Sequence, residues 1–575
     1  MNINTYPFSK SSKEILSKEK KGQDWPVVYL INNDNEMYIG ESQNITNRLE
    51  QHLDNPERKN LKNINVIFDD EFNKSAILDI EQSLIQLCGA DKKYHLQNKN
   101  TGQSCKHNYY QREKYLNKVD DIWHELKNKG LVKHDIDDIR NSNLFKYSPY
   151  NTLTLEQSEA SNKIIKHALE CLLKGKDGTS IISGGAGTGK TIVLINILFK
   201  FLSSEKYEID ADKEDDDIKD YLSLMGMIQK LVHEHNGKPL KIGYICPMTS
   251  LRKTMRTVFS LTGNGLKSSL VIGPQEVFDK GEKFDILFVD EAHRLTRRRN
   301  ITSFGSFDEC ARKIGKDPKE ATQLDFIVAR SKYRILVYDE KQTIKGSDLT
   351  NAQFNRALEG SNINKVTLFT QMRCKGGEAF TSYLDKIFDC TQETFEEFDP
   401  TIYEFKLFSD VDEMVQRVRK LDKTYGLCRN AAGYSWEWIS KPYLKKGYQY
   451  IIDNGYQDIE ISGNKYVWNM TNEEFILSKN AVNEIGCIHT LQGYDLNYVG
   501  VILGKEIDYD PIKNEIRIDR NKFFDSKVKA GIDDITLKRY IINSYKVMMS
   551  RGIKGCYVYA CNKNLQEYLE RFIGK

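Results

Sequence analysis

The chain has 575 residues, more than one hydrophobic core can serve, so several domains are expected. Hydrophobic residues make up 39% and charged residues 29%, a globular balance that excludes collagen-like, fully disordered and membrane-embedded chains. Lysine plus arginine total 84 against 81 acidic residues, a net charge of +3, so any basic surface for a nucleic acid must be local.

Residues 1–24 read as a polar, Lys- and Ser-rich tail without the apolar core of a secretion signal. The longest apolar stretch, Ile192 to Leu202, is broken by Asn196 and Lys200 and is too short to cross a bilayer. The 11 cysteines include no CxxC pair. They read as reduced, mostly buried thiols of a cytoplasmic protein without a zinc site.

A compact α/β region is expected over 25–107. Val27 to Ile31 and Met37 to Ile39 flank the turn-like INNDNE and predict a hairpin. A helix around Ile45 to Leu53, a strand over Asn65 to Phe68 and a long helix around Ser75 to Leu87 follow. Tyr115, Val119, Ile122, Trp123 and Leu126 recur at helical spacing and predict an amphipathic helix within a helical linker, 108–147.

From Thr154 onward, short apolar runs alternate with helical stretches. Strands are expected at Ser180 to Ile182, Lys241 to Cys246, Phe284 to Val289, Arg334 to Tyr338, Tyr498 to Leu503 and Cys556 to Ala560. This alternation predicts parallel sheets covered on both faces, in two lobes over 148–360 and 361–575. The acidic stretch Glu205 to Asp220 reads as a solvated insertion.

GGAGTGKT, Gly184 to Thr191, lies between a strand-like TSII and an apolar helix, the context of a P-loop. Gly184, Gly187 and Gly189 would let backbone N–H groups approach the phosphates of ATP at a helix N-terminus. Lys190 would meet the β- and γ-phosphates and the Thr191 hydroxyl would bind magnesium. In FDILFVDEAHR, Asp290 and Glu291 emerge from the end of a strand. Asp290 would hold magnesium, and Glu291 would orient or deprotonate the attacking water. In RILVYDEKQTI, Asp339 and Gln342 follow another strand, and Gln342 would sense the γ-phosphate through the water.

DEAHR, YDEKQ, LFTQMRC, HTLQGYDLNYVGVILG and YKVMMSRGIKGCYVY occur in the order of superfamily 1 helicase motifs. Together with RNAAGYSWEW, Arg429 to Trp438, they resemble the Schlafen-group-3-like DNA/RNA helicase domain. The resemblance implies two RecA-like lobes from roughly Ser148 onward. It implies that Gln157 reads adenine, although Thr154 and Gln157 also make a capping box. It implies that Arg373 and Arg551 reach the γ-phosphate, and that Thr490, Gln492 and Gly493 link the nucleic-acid track to ATP. Pro247 to Met255 matches a segment that touches the nucleic-acid backbone. Tyr338 stands where the family carries Gly, and no large inserted subdomain interrupts the motifs, which favours translocation or an ATP-driven switch over strand separation.

VVYLINNDNEMYIGESQNITNRLEQH, Val27 to His52, resembles the GIY-YIG nuclease domain, with Val27 and Val28 replacing Gly and Ile of the first motif. Tyr29 and Tyr38 match the motif tyrosines, Arg48 and His52 share a helix face, and Glu81 and Asn98 match the late acid and asparagine. The resemblance implies that Glu81 ligates magnesium and Arg48 neutralises the scissile phosphate. Tyr29 or His52 would relay the proton from water, and Tyr38 would order the nucleophile. The plainer alternative is a small α/β domain with core tyrosines and a surface Arg/His pair.

RLTRRRN places four arginines within Arg294 to Arg299, either a phosphate-holding patch or a solvated face. Trp436 and Trp438 could stack bases or fill a core. The combined expectation is a cytoplasmic, ATP- and magnesium-dependent endonuclease tied to a helicase-type motor, acting in anti-phage defence or DNA processing. DNA ranks ahead of RNA as partner, a defence protein or a second copy is a further candidate, and no membrane is involved. The alternatives are an ATP-gated nucleic-acid-binding switch and an RNA helicase with a non-cleaving nuclease fold.

Overall fold

The computed structural model describes residues 1–98, 109–151, 153–185, 187–203, 216–234, 237–263, 265–301, 303–339, 342, 345–370, 375–391, 398–470, 475, 478, 480–491 and 494–574. The chain forms two compact units. The first comprises Met1–Asn162, Thr191–His233 and Met255–Ser268, and the second comprises Lys163–Lys190, Glu234–Thr254 and Ser269–Lys575.

In the first unit, β1 (Asn2–Pro7), β2 (Val27–Asn32), β3 (Glu36–Ser42), β4 (Asn63–Phe68) and β5 (His95–Leu96) form one sheet in the order β1-β4-β2-β3-β5. The β2–β3 hairpin is antiparallel as predicted. The first 24 residues are not a tail. β1 pairs with β4 from Asn2↔Phe68 to Pro7↔Asn63, and the helix Lys10–Lys18 puts Leu16 into the core with Tyr6, Val27, Ile31 and Val66. Composition hid this strand because four of its six residues face solvent, as an edge strand allows.

The helix Arg112–Asn128 buries Tyr115, Val119, Ile122, Trp123 and Leu126, the predicted stripe. It is more than a linker. Arg112 grips Asp79 of the helix Lys74–Asp91 at 2.8 and 3.1 Å, and Asp91 accepts from the backbone N–H groups of Lys133 and His134. Asn151 accepts a hydrogen bond from Gln86, so the first unit continues past the boundary expected at 147.

The second unit holds two wholly parallel sheets. The first contains β6 (Gly178–Gly184), β7 (Ile242–Ile245), β8 (Val271–Ile272), β9 (Phe284–Val289), β10 (Ser331–Val337) and β11 (Asn362–Leu368), ordered β11-β6-β10-β9-β7-β8. β11 lies beyond the lobe boundary expected at 360, yet it pairs with β6 throughout. The second sheet contains β12 (Glu404–Leu407), β13 (Cys428–Ala432), β16 (Ile485–Gly486), β17 (Leu496–Leu503) and β20 (Gly552–Ala560), ordered β12-β20-β17-β13-β16. Small hairpins, β14 (Ile459–Ile461) with β15 (Asn464–Tyr466) and β18 (Ile507–Asp510) with β19 (Glu515–Ile518), complete the strands. The chain is therefore α/β, with a small mixed sheet followed by two parallel ones.

The acidic insertion lies outside the described residues up to residue 215, and the helix Asp216–Glu234 begins within it. None of the nine described cysteines forms a disulfide, and seven are buried. No helix among the described residues is long and apolar enough to cross a membrane.

Candidate functional site

In the first unit, strand register creates the site. Tyr29 pairs with Gly40 and Ile31 with Tyr38, so the two tyrosines lie diagonally on one face with ring centroids 6.4 Å apart. The helix Ile45–Asp54, N-capped by the Asn44 side chain, carries Arg48 and His52 one turn apart. The His52 ring meets Tyr29 at 5.4 Å and Tyr38 at 5.0 Å, and its Nε2 lies 2.7 Å from the Tyr29 hydroxyl. Arg48 Nε donates to the same hydroxyl at 3.3 Å.

Tyr29 is fully buried. Burial, then the neighbouring Tyr38, push its pKa well above the ordinary phenol value, Arg48 opposes the rise, and Glu81 adds to it. Tyr29 is thus a neutral phenol at rest. Glu81 is buried on the helix Lys74–Asp91. Asn98 reaches β3. Its carboxamide accepts from the Ile39 N–H at 3.0 Å and donates to the Ile39 carbonyl at 2.8 Å, clamping β3 beside Tyr38.

Sequence reasoning missed Arg58. It follows Pro56 in a short 3-10 turn and carries no motif. Its guanidinium lies 3.8 Å from the Tyr38 ring centroid, and its Nη1 is 3.4 Å from His52 Nε2. The one available signal was a third basic residue soon after Arg48 and His52.

In the second unit, β10 lies between β6 and β9, so the loops leaving these three strands are neighbours at one end of the sheet, where ligands of parallel sheets bind. The P-loop leaves β6 at Gly184, where a Cβ would fall 2.4 Å from the Leu368 carbonyl of β11, so glycine alone fits. Gly187 and Gly189 take φ of 83° and 79°, the left-handed region glycine tolerates. Lys190 begins the helix Lys190–Ser203, and Thr191 is its second residue. Lys190 Nζ donates to the carbonyls of Gly184 and Gly185 at 2.7 Å and lies 3.3 Å from Asp339. Gln342 Nε2 donates to the same Asp339 carboxylate at 2.6 Å.

Asp290 is fully buried at the end of β9, accepting from the Tyr244 hydroxyl at 2.9 Å and from the Glu291 N–H at 3.0 Å. Glu291 sits in the left-handed region at φ 51°, which swings its side chain out of the strand's alternation. His293 Nε2 lies 2.9 Å from its carboxylate. Burial alone would raise the Glu291 pKa, but His293, Lys190 and Arg551 overcome it and hold the group at about 2. Arg551, buried immediately before β20, thus acts on the acid at the end of β9.

Asp290, Thr191 and Glu81 are hard oxygen donors of the kind magnesium takes. Among the described residues no three metal-ligating side chains converge. A magnesium ion would rest on one or two protein oxygens plus substrate phosphates, the usual arrangement for that ion, so the residues fit it.

Other expectations resolve differently. The arginine run is not a free phosphate patch. Arg294 pairs with buried Asp348 at 2.8 Å, Arg298 grips Asp308 at 2.6 and 3.0 Å, and Arg297 and Arg299 donate to the carbonyls of Gly346 and Ala530. Trp436 belongs to a hydrophobic core and Trp438 packs against it, so the core reading of both holds. The capping box of Thr154 and Gln157 is present in both directions, at 3.1 and 3.2 Å. Thr490 uses its hydroxyl to cap its own short helix on Cys487. Thr254, within Pro247 to Met255, lies 3.3 Å from the Tyr494 hydroxyl. Tyr338 stacks on Phe354 at 3.9 Å. Arg373, Gln492 and Gly493 lie outside the described residues.

Comparisons with known proteins agree with this order of sites. The GIY-YIG catalytic domain matches residues 26–119, and the Schlafen group 3 DNA/RNA helicase domain matches residues 177–562. An uncharacterized protein of Saccharomyces cerevisiae is 27% identical over 463 residues, covering 73% of this chain and 91% of that protein. Domain III of the Thermotoga maritima replication initiation protein DnaA overlays with a TM-score of 0.19 at 17% identity, covering 42% of this chain and 73% of that one. A DNA replication initiation factor gives 0.20 at 14% identity, covering 49% and 65%, and neither value bears on the fold. With a match over more than half its length, this chain belongs to the Schlafen group 3 DNA/RNA helicase family and carries a GIY-YIG catalytic domain ahead of that region.

Proposed function

We propose that the protein is an ATP-dependent nucleic-acid-processing enzyme in which a magnesium-dependent GIY-YIG endonuclease is governed by a superfamily 1 helicase-type ATPase. The observation that carries the motor half is the electrostatic environment of Glu291. His293 first, then P-loop Lys190 and Arg551, which immediately precedes β20, stabilise its charged form. An acid kept ionised can orient or deprotonate water, and an arginine beside it can neutralise charge developing on the γ-phosphate. Lys190 now rests on loop carbonyls and Asp339, so phosphate oxygens would replace those contacts. Gln342, tethered to Asp339, would report that exchange.

In the nuclease site, Arg48 offers its guanidinium to the scissile phosphate, while Tyr29 and His52 form the proton-handling pair and Tyr38 orders the nucleophile. Magnesium held by Asp290, by Thr191 or by Glu81 would supply charge neutralisation at phosphate oxygens. DNA is the preferred substrate, and defence against foreign DNA is the setting the family resemblance suggests.

The test is cleavage of supercoiled plasmid with magnesium, with and without ATP, by wild type and Lys190→Ala. ATP-dependent cutting by wild type alone means the motor licenses the nuclease. Free cutting by Lys190→Ala means nucleotide restrains it. Intact DNA and RNA under every condition would sink the nuclease half. That outcome would favour an ATP-gated binding switch, a reading the near-complete burial of Tyr29 and His52 supports.

A further inference from the structure

We propose that Arg58 is a positioning residue of the nuclease site, one that fixes the tautomer of His52 and thereby the direction of the Tyr29–His52 hydrogen bond. The inference rests on the nuclease reading for its catalytic meaning, though its geometry stands without it.

Two groups approach one ring nitrogen. The Tyr29 hydroxyl lies 2.7 Å from His52 Nε2, and Arg58 Nη1 lies 3.4 Å from the same atom. A hydroxyl can donate or accept, but a guanidinium only donates. A proton on Nε2 would point N–H toward N–H across the Arg58 contact, and an imidazolium would add like charge. Nε2 must therefore carry its lone pair, and the proton of neutral His52 resides on Nδ1. The Tyr29 hydroxyl is then obliged to donate to Nε2. Its oxygen is left to accept, as it does from Arg48 Nε at 3.3 Å. One polarity runs through the group, from Arg48 to Tyr29 to His52, with Arg58 closing it from the far side.

Arg58 is itself held in place. Its guanidinium lies 3.8 Å from the Tyr38 centroid, a cation–π contact, and Pro56 opens its 3-10 turn. Tyr38 in turn meets the His52 ring edge-on at 5.0 Å. His52 is buried, and its Nδ1 has no hydrogen-bond partner among the described residues, so the Arg58 contact has to outweigh the cost of an unpaired Nδ1–H. Arg58 also links the two motif tyrosines, through the face of Tyr38 and through His52 to Tyr29. A tyrosine whose oxygen faces its site as an acceptor can order water there. One whose proton is free to turn outward cannot do so reliably.

The experiment uses full-length protein labelled with nitrogen-15 histidine, with His52→Gln assigning the signal. In wild type, the His52 Nδ1 resonance is expected in the protonated, pyrrole-like range and Nε2 in the unprotonated range. Arg58→Met keeps an aliphatic chain over Tyr38 but removes the donor. It is expected to move His52 toward the other tautomer or a mixture and to lower the cleavage kcat by about tenfold or more, with little change in KM for DNA. Arg58→Lys, which restores a donor without the planar fork, is expected to recover part of both. The proposal is overturned if wild-type His52 carries its proton on Nε2 or on both nitrogens. It is also overturned if Arg58→Met leaves the tautomer unchanged, or if it raises KM alone, which would make Arg58 a phosphate ligand. A wild-type protein that cuts nothing defeats the nuclease reading, while the nitrogen resonances still decide the tautomer. Should Arg58→Met fail to fold, the wild-type and Arg58→Lys spectra decide it.

Discussion

Gly40 and Tyr29 face each other across β2 and β3, and a Cβ on Gly40 would fall 2.3 Å from the tyrosine hydroxyl oxygen. The glycine of the second motif is therefore the floor on which the tyrosine of the first motif lies. Gly40→Ala should push the Tyr29 ring off His52. The expected cost is about 1–3 kcal/mol from overpacking. Cleavage should fall by about a hundredfold, as misplacement on the ångström scale does. ATP hydrolysis serves as the folding control and should persist.

Arg551 is buried and stabilises the charge of Glu291 from the turn that enters β20. Arg551→Ala should lower the kcat of ATP hydrolysis by about a thousandfold with a small change in KM, because such an arginine acts mainly on the transition state. Phosphate release under saturating ATP checks this. A change confined to KM would place Arg551 in ground-state binding.

Glu291 is held at about 2 against an ordinary value of 4.5. A folded-state value below the unfolded one stabilises the protein above the unfolded value, and the contribution is lost as pH falls through the folded one. The window is therefore pH 4.5 down to 2. Glu291→Gln should lose less of its Tm than wild type as pH is lowered through the upper part of that window. By the same argument, the acid limb of the ATPase profile should not report Glu291 at any pH above about 4.

Arg298 and Arg299 already have internal partners. Replacing either with Ala should leave nucleic-acid affinity within about twofold and the salt slope unchanged, since each true phosphate contact contributes about 0.9 to that slope. Arg294→Met, which deprives buried Asp348 of its ion-pair partner, should instead cost about 3–5 kcal/mol. Thermal unfolding and salt titrations separate the two behaviours.

Thr154 and Gln157 each cap the other's backbone. Thr154→Ala should cost about 1 kcal/mol without altering nucleotide choice. Gln157→Ala should in addition narrow the preference for ATP over GTP if its carboxamide also reads adenine. Competition between the two nucleotides distinguishes these outcomes.

The sequence by itself determined whatever depends on local periodicity and contiguous motifs. β9 begins and ends at apolar residues, Phe284 and Val289, and the stripe of Tyr115, Val119, Ile122, Trp123 and Leu126 is buried as its spacing requires. Both motif sets lie in continuous segments, so their order was readable before any fold was known. Tertiary structure alone decided which side chains meet. β1 and β11 are edge strands with many solvent-facing residues, so hydrophobicity did not mark them and pairing with β4 and β6 defines them. The arginine run looked free because its partners Asp348 and Gly346 are far along the chain, and a charge gives no local sign of being neutralised. Arg58 had no motif, and only folding brings its guanidinium onto Tyr38 and His52. Glu291 was legible as an acid beside His293, which lowers its pKa most, but the further lowering by Lys190 and Arg551 depends on packing between segments distant in sequence.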